Sequence, residues 1–183
     1  MRSLAFAVGV ATMTLMPATA SGAILTMGGA LSHICYQAAL SGDGRASALE
    51  GCDRALGEES MASPDKAATY VNRGIVRMSA GRFELADSDF DAALQIQRDL
   101  PDAWLNKGFL RLRQGNGRGA LPLIQKGIDA GAGNQALAIF ARGVAHEQMG
   151  EFSAAYADLR QARELEPHWA LPKEYLASYQ IRK

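Results

Sequence analysis

The stretch YVNRGIVRMSAGRFELADSDFDAAL, residues 70–94, returns in diverged form as WLNKGFLRLRQGNGRGALPLIQKGI at 104–128 and as IFARGVAHEQMGEFSAAYADLRQAR at 139–163. The first glycine of each copy, at positions 74, 108 and 143, recurs after 34 and then 35 residues. A second glycine follows it seven residues later in every copy. Self-similarity at a fixed period of this length is typical of helical hairpins stacked into a solenoid.

Each copy contains two amphipathic stretches on either side of the second glycine, which we call helix A and helix B. The predicted A and B helices are 66–79 with 83–98, 102–114 with 118–130, and 135–149 with 152–165. A last amphipathic segment, residues 171–181, carries its apolar side chains along one side. We expect this segment to cap the end of the stack, and the sequence shows no strand pattern.

These units resemble tetratricopeptide repeats (TPRs), a helix–turn–helix family with the pattern W-x2-L-G-x2-Y, then A-x3-F, then P. The first copy matches this pattern at Tyr70, Gly74, Ala86 and Phe90. The resemblance implies an all-α, TPR-type α-solenoid of antiparallel helix hairpins. Three clear repeats occupy residues 63–168, between a degenerate hairpin with its linker at 21–62 and a capping helix at 169–183.

The chain departs from the family pattern in one systematic way, because a basic residue replaces the leucine before the first glycine of each copy. An acid on helix B of the same hairpin could form an ion pair with such a basic residue on helix A. The sequence predicts the pairs Arg73–Asp89 and Arg142–Asp158, and it predicts no such pair for Lys107, because Leu123 occupies the equivalent position of helix B.

The first twenty residues have the pattern of a secretory signal peptide. Met1-Arg2 is a short basic region, an apolar run follows from Leu4 to Met16, and small residues follow at 17–20. Cleavage is predicted after Ala20, with Ala23 as the alternative. An uncleaved anchor is the other interpretation, but the apolar run is too short to span a bilayer comfortably. We therefore expect an exported, periplasmic protein without an integral membrane span.

The two cysteines of the chain, Cys35 and Cys52, lie at equal distances from the turn signal at residues 42–45. In an antiparallel hairpin they would stand at the same height, and exported proteins use paired cysteines as disulfides. The alternative is a metal site with His33, but this spacing matches no zinc pattern. The sequence predicts a disulfide and no metal site.

The predicted partner-binding groove follows from the family resemblance, in which one side of the A helices lines a concave surface. The residues at those positions are Val71, Ile75, Met78, Leu105, Asn106, Phe109, Leu112, Arg113, Leu137, Phe140 and Val144. Of the family's clamp for acidic peptide termini, only Asn106 is present, so that mode of binding is not expected. The sequence leaves two alternatives open: an apolar groove for a partner, or a strip buried between neighbouring A helices.

No pattern in the chain predicts catalysis. The three histidines lie in different units, and the acids at positions 87, 89 and 91 lack the glycine and glutamate of a calcium loop. Equal numbers of basic and acidic residues, 19 of each, do not indicate nucleic-acid binding.

We expect a non-enzymatic scaffold of the bacterial cell envelope, without cofactor or metal. It would bind a peptide or helix of an unidentified envelope protein, or alternatively associate with itself as a homodimer.

Overall fold

The computed structural model describes residues 6–8, 22–26 and 28–181. Helices dominate the described residues, and two short strands are also present. The helices are α1 Ala30–Ser41, α2 Ala46–Glu58, α3 Ser63–Ser79, α4 Phe83–Ile96, α5 Pro101–Arg113, α6 Gly117–Asp129, α7 Gln135–Gln148, α8 Phe152–Leu165 and α9 Ala170–Ala177, and the strands are β1 Phe6–Val8 and β2 Tyr179–Ile181. The prediction of an all-α solenoid is confirmed.

The repeats form three hairpins, α3–α4, α5–α6 and α7–α8, in which each helix packs on the next along the chain. The three A helices α3, α5 and α7 also contact one another, so they form one layer of the stack. The α1–α2 hairpin packs against α3 at one end, and α9 packs against α8 at the other. The core is continuous from α1 to α9 because every unit buries its apolar face against its neighbours.

The two repeated glycines have separate physical roles. The first lets helix A approach helix B: a Cβ atom at Gly74 would overlap the ring of Phe90, and one at Gly108 would lie 2.5 Å from Cγ1 of Ile124. The second lies in the turn between the helices, where Gly81 has a φ of +74° that other residues rarely adopt. The glycine spacing therefore sets both the hairpin turn and the helix packing.

Ion pairs connect the helices on the side of the basic residues that precede the first glycines. The guanidinium of Arg73 donates to Asp89 at 2.7 Å, and that of Arg77 donates to the same carboxylate at 2.8 Å. Asp89 is only 2% exposed. Arg142 makes the equivalent two-pronged contact with Asp158. Both predicted pairs are therefore present.

The prediction of no ion pair between Lys107 and helix B of its own repeat is confirmed among the described residues, and Lys107 instead binds two acids of the preceding repeat. Its Nζ atom lies 3.0 Å from the carboxylate of Asp87 and 2.6 Å from that of Asp91. Both acids belong to α4, the preceding B helix, which also packs against α5. Helix α6 has Leu123 where the other B helices have the pairing acid, and the preceding helix supplies the acids instead. A comparison within one repeat cannot find such a contact between repeats.

The predicted disulfide between Cys35 and Cys52 is present and joins α1 to α2, with 4.7 Å between the two Cα atoms. Both cysteines are fully buried. The bond holds together the hairpin that matches the repeat pattern least well.

The C-terminal segment differs from its prediction. The helix ends at Ala177, and β2 follows, paired antiparallel with β1. The prediction of an entirely strand-free chain is therefore wrong at these residues. The capping helix itself is present, and Trp169 and Tyr175 bring their rings to 5.0 Å from the ring of Phe140.

The predicted signal peptide lies outside the described residues except for the backbone of β1, so it stays a prediction. Among the helices that the structure describes, none combines the length and the apolar character needed to cross a membrane.

We expect Asp89→Asn to lower the free energy of unfolding by about 3 kcal/mol, because it leaves Arg73 and Arg77 partly buried beside a neutral side chain. Thermal and urea unfolding of both proteins would measure the difference. Asp99→Asn, at an exposed position in the following turn, is the matched control and should change stability by less than about 0.5 kcal/mol. Equal losses in the two variants would contradict the structural role of Asp89.

Replacing both cysteines by alanine should cost about 3 kcal/mol, because the bond closes a loop whose ends are 17 residues apart and so restricts the unfolded chain. Urea unfolding with and without a reducing agent provides the control. The reductant should destabilise the wild-type protein and leave the double variant unchanged. Insensitivity of the wild type to complete reduction would refute this estimate.

Candidate peptide-binding site

The apolar strip predicted as a groove is buried. We use the name A-helix strip for the predicted groove residues other than Arg113. These ten side chains are 0–7% exposed: Val71, Ile75, Met78, Leu105, Asn106, Phe109, Leu112, Leu137, Phe140 and Val144. Of the two alternatives left open by the sequence, the structure therefore has the buried strip.

Two parts of the chain outside the repeats contribute to this burial. The C-terminal rings of Trp169 and Tyr175 cover Phe140. At the other end, residues 22–26, which we call the N-terminal segment, have no regular secondary structure, and Ala23 and Ile24 pack against the core. Both segments therefore add to the burial that the packing of the helices on one another already gives.

Asn72 of α3 holds the backbone of the N-terminal segment with both ends of its amide group. Its Oδ1 atom accepts a hydrogen bond from the Ile24 N–H at 2.9 Å, and its Nδ2 atom donates to the Ile24 carbonyl at 2.7 Å. The Asn72 side chain is fully buried. An amide in this position recognises a peptide backbone, because it matches one donor and one acceptor of the same residue.

Asn106 of α5 extends this contact by one repeat. Its Nδ2 atom donates to the Gly22 carbonyl at 3.3 Å and to the Asp102 carbonyl at 2.8 Å. Its Oδ1 atom is buried and has no hydrogen-bond partner among the described residues. A buried acceptor without a partner is costly, so a backbone N–H that reached Oδ1 of Asn106, as the Ile24 N–H reaches Asn72, would add a favourable hydrogen bond.

The residues of the N-terminal segment differ in how far they are buried, and Ala23 and Ile24 both pack against the core. Thr26 is buried and Ile24 half-buried, whereas Leu25 is 58% exposed. At Gly22 a Cβ atom would lie 3.1 Å from Oδ1 of Asp102 and 3.2 Å from Nδ2 of Asn106. The site therefore fits a small residue, an aliphatic residue and a small polar residue at every second position of an extended chain.

The start of α1 fixes where the N-terminal segment leaves the site. No side chain of α1 itself caps this helix; instead, the carboxylate of Glu59 accepts hydrogen bonds from the Leu31 and Ser32 N–H groups at 2.8 and 3.1 Å. A Cβ atom at Gly29 would overlap the same carboxylate, so a larger residue there would require the Glu59 side chain to shift. Only residues 27–29 separate this anchor from the segment.

Arg113, the predicted groove residue outside the A-helix strip, is half-buried and lies over the ring of Phe83 at 5.5 Å, so it packs on the preceding repeat. Burial lowers its pKa.

The sequence analysis selected Asn106 and missed Asn72, although the two residues are 34 positions apart and share one position in the repeat. The third copy has Ala141 there, which restricts the amide contacts to α3 and α5.

The described residues do not contain a group of histidine, cysteine, aspartate or glutamate side chains that could hold a metal ion. The acids at positions 87, 89 and 91 instead bind the basic side chains of α3 and α5. A cleft of about 520 Å³ beside α2 is lined by a mixture of acidic, basic and apolar side chains and lies away from the A-helix strip. The site on α3 and α5 is the one with polar groups arranged for a ligand.

Solved structures with the same arrangement of helices identify the fold. The "MamA 41-end" chain from Desulfovibrio magneticus RS-1 has a TM-score of 0.62 and 19% identity, and the alignment covers 81% of this chain and 82% of that one. The first TPR domain of human RPAP3 has a TM-score of 0.58 and 18% identity, with 62% and 89% covered. The chain folds as a tetratricopeptide-repeat protein.

The Arabidopsis OM64 TPR domain is similar to the same degree, with a TM-score of 0.58, 18% identity and coverage of 63% and 95%. No protein-family model matches this TPR chain, and no curated protein does either. Proteins of this fold act in general as protein–protein interaction scaffolds, which agrees with the binding role expected from the repeats.

Glu147, at the C-terminal end of α7, is a partly buried acid. Burial raises the pKa of Glu147, and the neighbouring hydroxyl of Tyr179 opposes this with a smaller lowering. Its Oε2 atom is buried without a hydrogen-bond partner among the described residues. A carboxyl group with a raised pKa in the folded state stabilises the fold at low pH, where it is neutral, and this contribution is lost as the pH rises through that pKa.

We expect Glu147→Gln to stabilise the TPR protein above neutral pH by up to about 1 kcal/mol, because it removes a poorly solvated charge. The gain should shrink as the pH falls toward 4, where the wild-type carboxyl becomes protonated. Urea unfolding at pH 4, 6 and 8 measures the trend, with Glu166→Gln at an exposed position as the control. A gain that is independent of pH would exclude this explanation.

Proposed function

We propose that the protein is an exported, non-enzymatic scaffold of the bacterial cell envelope that binds an extended segment of another envelope protein across α3 and α5. One observation supports this most directly. Two buried asparagines at equivalent repeat positions, Asn72 and Asn106, contact the backbone of one extended segment. The hydrogen bonds of these two amides to residues 22–24 do not connect one repeat helix to another, so they are not needed to hold the repeats together. Recognition of a peptide explains them better.

The contacts favour an extended peptide over a helix as the partner. In a helix, the N–H and C=O groups of each interior residue already bond within the helix. Asn72 binds both groups of one residue, and only an extended chain offers them together. The partner would carry a small residue, an aliphatic residue and a small polar residue at alternate positions, as in Gly22, Ile24 and Thr26.

The envelope location is supported by the N-terminal sequence and by the disulfide. The first twenty residues have the composition of a signal peptide. The Cys35–Cys52 bond is fully buried in the first hairpin, and such bonds persist in oxidising compartments such as the periplasm. Both observations fit one protein that is exported and then oxidised.

A display library of random heptapeptides tests this function with a chemically defined probe. Selection on the protein should enrich peptides with a small residue two positions before an aliphatic one. The double variant Asn72→Ala/Asn106→Ala should bind the enriched peptides at least tenfold more weakly, because it removes three hydrogen bonds worth about 0.5–1.5 kcal/mol each. Fluorescence anisotropy provides the dissociation constants.

The control is Gln95→Ala, which removes an exposed amide from α4 and should leave peptide affinity unchanged. Methylation of the backbone nitrogen at the aliphatic position of an enriched peptide should weaken binding as much as the loss of Asn72. Both proteins are compared with Ile24→Pro added, so that the contact of the protein's own residues 22–26 with Asn72 does not offset the loss; equal affinity in that comparison would refute the site. Light scattering tests the self-association alternative. A stable dimer of the wild type that becomes a monomer in the double variant would mean that the site binds a second copy of this protein and not another protein.

A further inference from the structure

We infer that the N-terminal segment, residues 22–26, is an intramolecular competitor that occupies the partner site and must leave before a partner binds. This inference rests on the proposed function. The Ile24 backbone already takes both hydrogen bonds that Asn72 can offer to a peptide. Gly22 and Ile24 fill the positions beside α5 and α3, so a partner peptide and the segment cannot be bound together.

The segment's contacts are suited to exchange because they are incomplete. Leu25 points into solvent, the buried Thr26 hydroxyl has no partner among the described residues, and Asn106 keeps an unused acceptor. A peptide that supplies one further backbone N–H to Asn106 would make a bond that the segment does not make. The segment therefore holds the site against weak ligands and gives way to a better one.

The short connection to α1 sets the strength of this competition. Residues 27–29 link the segment to a helix whose first turn is fixed by Glu59, so the local concentration of the segment is in the millimolar range expected for short linkers. If the isolated segment binds with a Kd of about 100 µM, its presence weakens an external peptide about tenfold.

The two predicted processing sites have different consequences for this competitor. Cleavage after Ala20 would keep the N-terminal segment complete. Cleavage after Ala23 would remove Gly22 and with it the contact to Asn106, and would turn the Ile24 amide into an α-amino group that can still donate to Asn72. The competitor is therefore complete only in the longer processed form.

The experiment uses the processed protein beginning at Ser21 and a fluorescent peptide with the sequence of residues 21–28, SGAILTMG. In Ile24→Pro, proline removes the backbone N–H that donates a hydrogen bond to Asn72. This variant should bind the peptide about tenfold more tightly than the wild type. Leu25→Pro is the matched control, because the structure shows no hydrogen bond from the Leu25 amide to the described residues, and it should behave like the wild type.

Three outcomes separate this inference from the proposed function. Equal affinity of Ile24→Pro and the wild type for the peptide, or no binding by either, would refute the inference that the N-terminal segment competes. The display-selected peptides would still test the site in that case. A gain in Ile24→Pro that Asn72→Ala abolishes in the double variant supports both. A gain that survives Asn72→Ala overturns the assignment of the site.

Hydrogen exchange of the unmodified protein gives a check that needs no variant. A saturating display-selected peptide should speed exchange of the Ile24 amide while the A helices stay protected. Unchanged protection of Ile24 with the peptide bound would also overturn the inference.

Discussion

The amide group of Asn72 is fully buried against the backbone of Ile24, and the candidate site depends on this contact. A buried amide without partners would cost several kcal/mol, and no other part of α3 supplies the donor and acceptor together. The Ile24 backbone meets both needs. The position of the N-terminal segment, the cover over the strip and the chemistry expected of a partner all follow from this pair of bonds.

Ion pairs on the adjacent side of the same helices hold the surface that presents Asn72. Arg73, next in sequence, turns toward Asp89 of α4, and Lys107, next to Asn106, binds acids of the same helix. Each A helix therefore carries adjacent residues with different tasks, one directed to a ligand and one to the neighbouring helix. Changes that weaken the ion pairs would disturb the spacing between the two asparagines.

The sequence predicted the repeats, the disulfide and two ion pairs because each depends on local spacing or on contacts within one hairpin. It could not show the partner of Lys107, which comes from the preceding repeat. It also left open whether the strip was exposed, because residues 22–26 contribute to the cover through contacts between residues 48 and 84 positions apart, Ile24 with Asn72 and Gly22 with Asn106. The alignment of the repeats places Asn72 at the same position as Asn106. The sequence alone does not indicate which way the Asn72 side chain points.

Occupation of the site by the protein's own chain has a consequence for solubility. An empty site would expose apolar side chains of the A-helix strip together with two amides that seek a backbone. Exposed strips of this kind promote aggregation with unfolded or partly folded chains. In the proposed arrangement, the N-terminal segment would keep this surface covered while no partner is bound and would so limit aggregation.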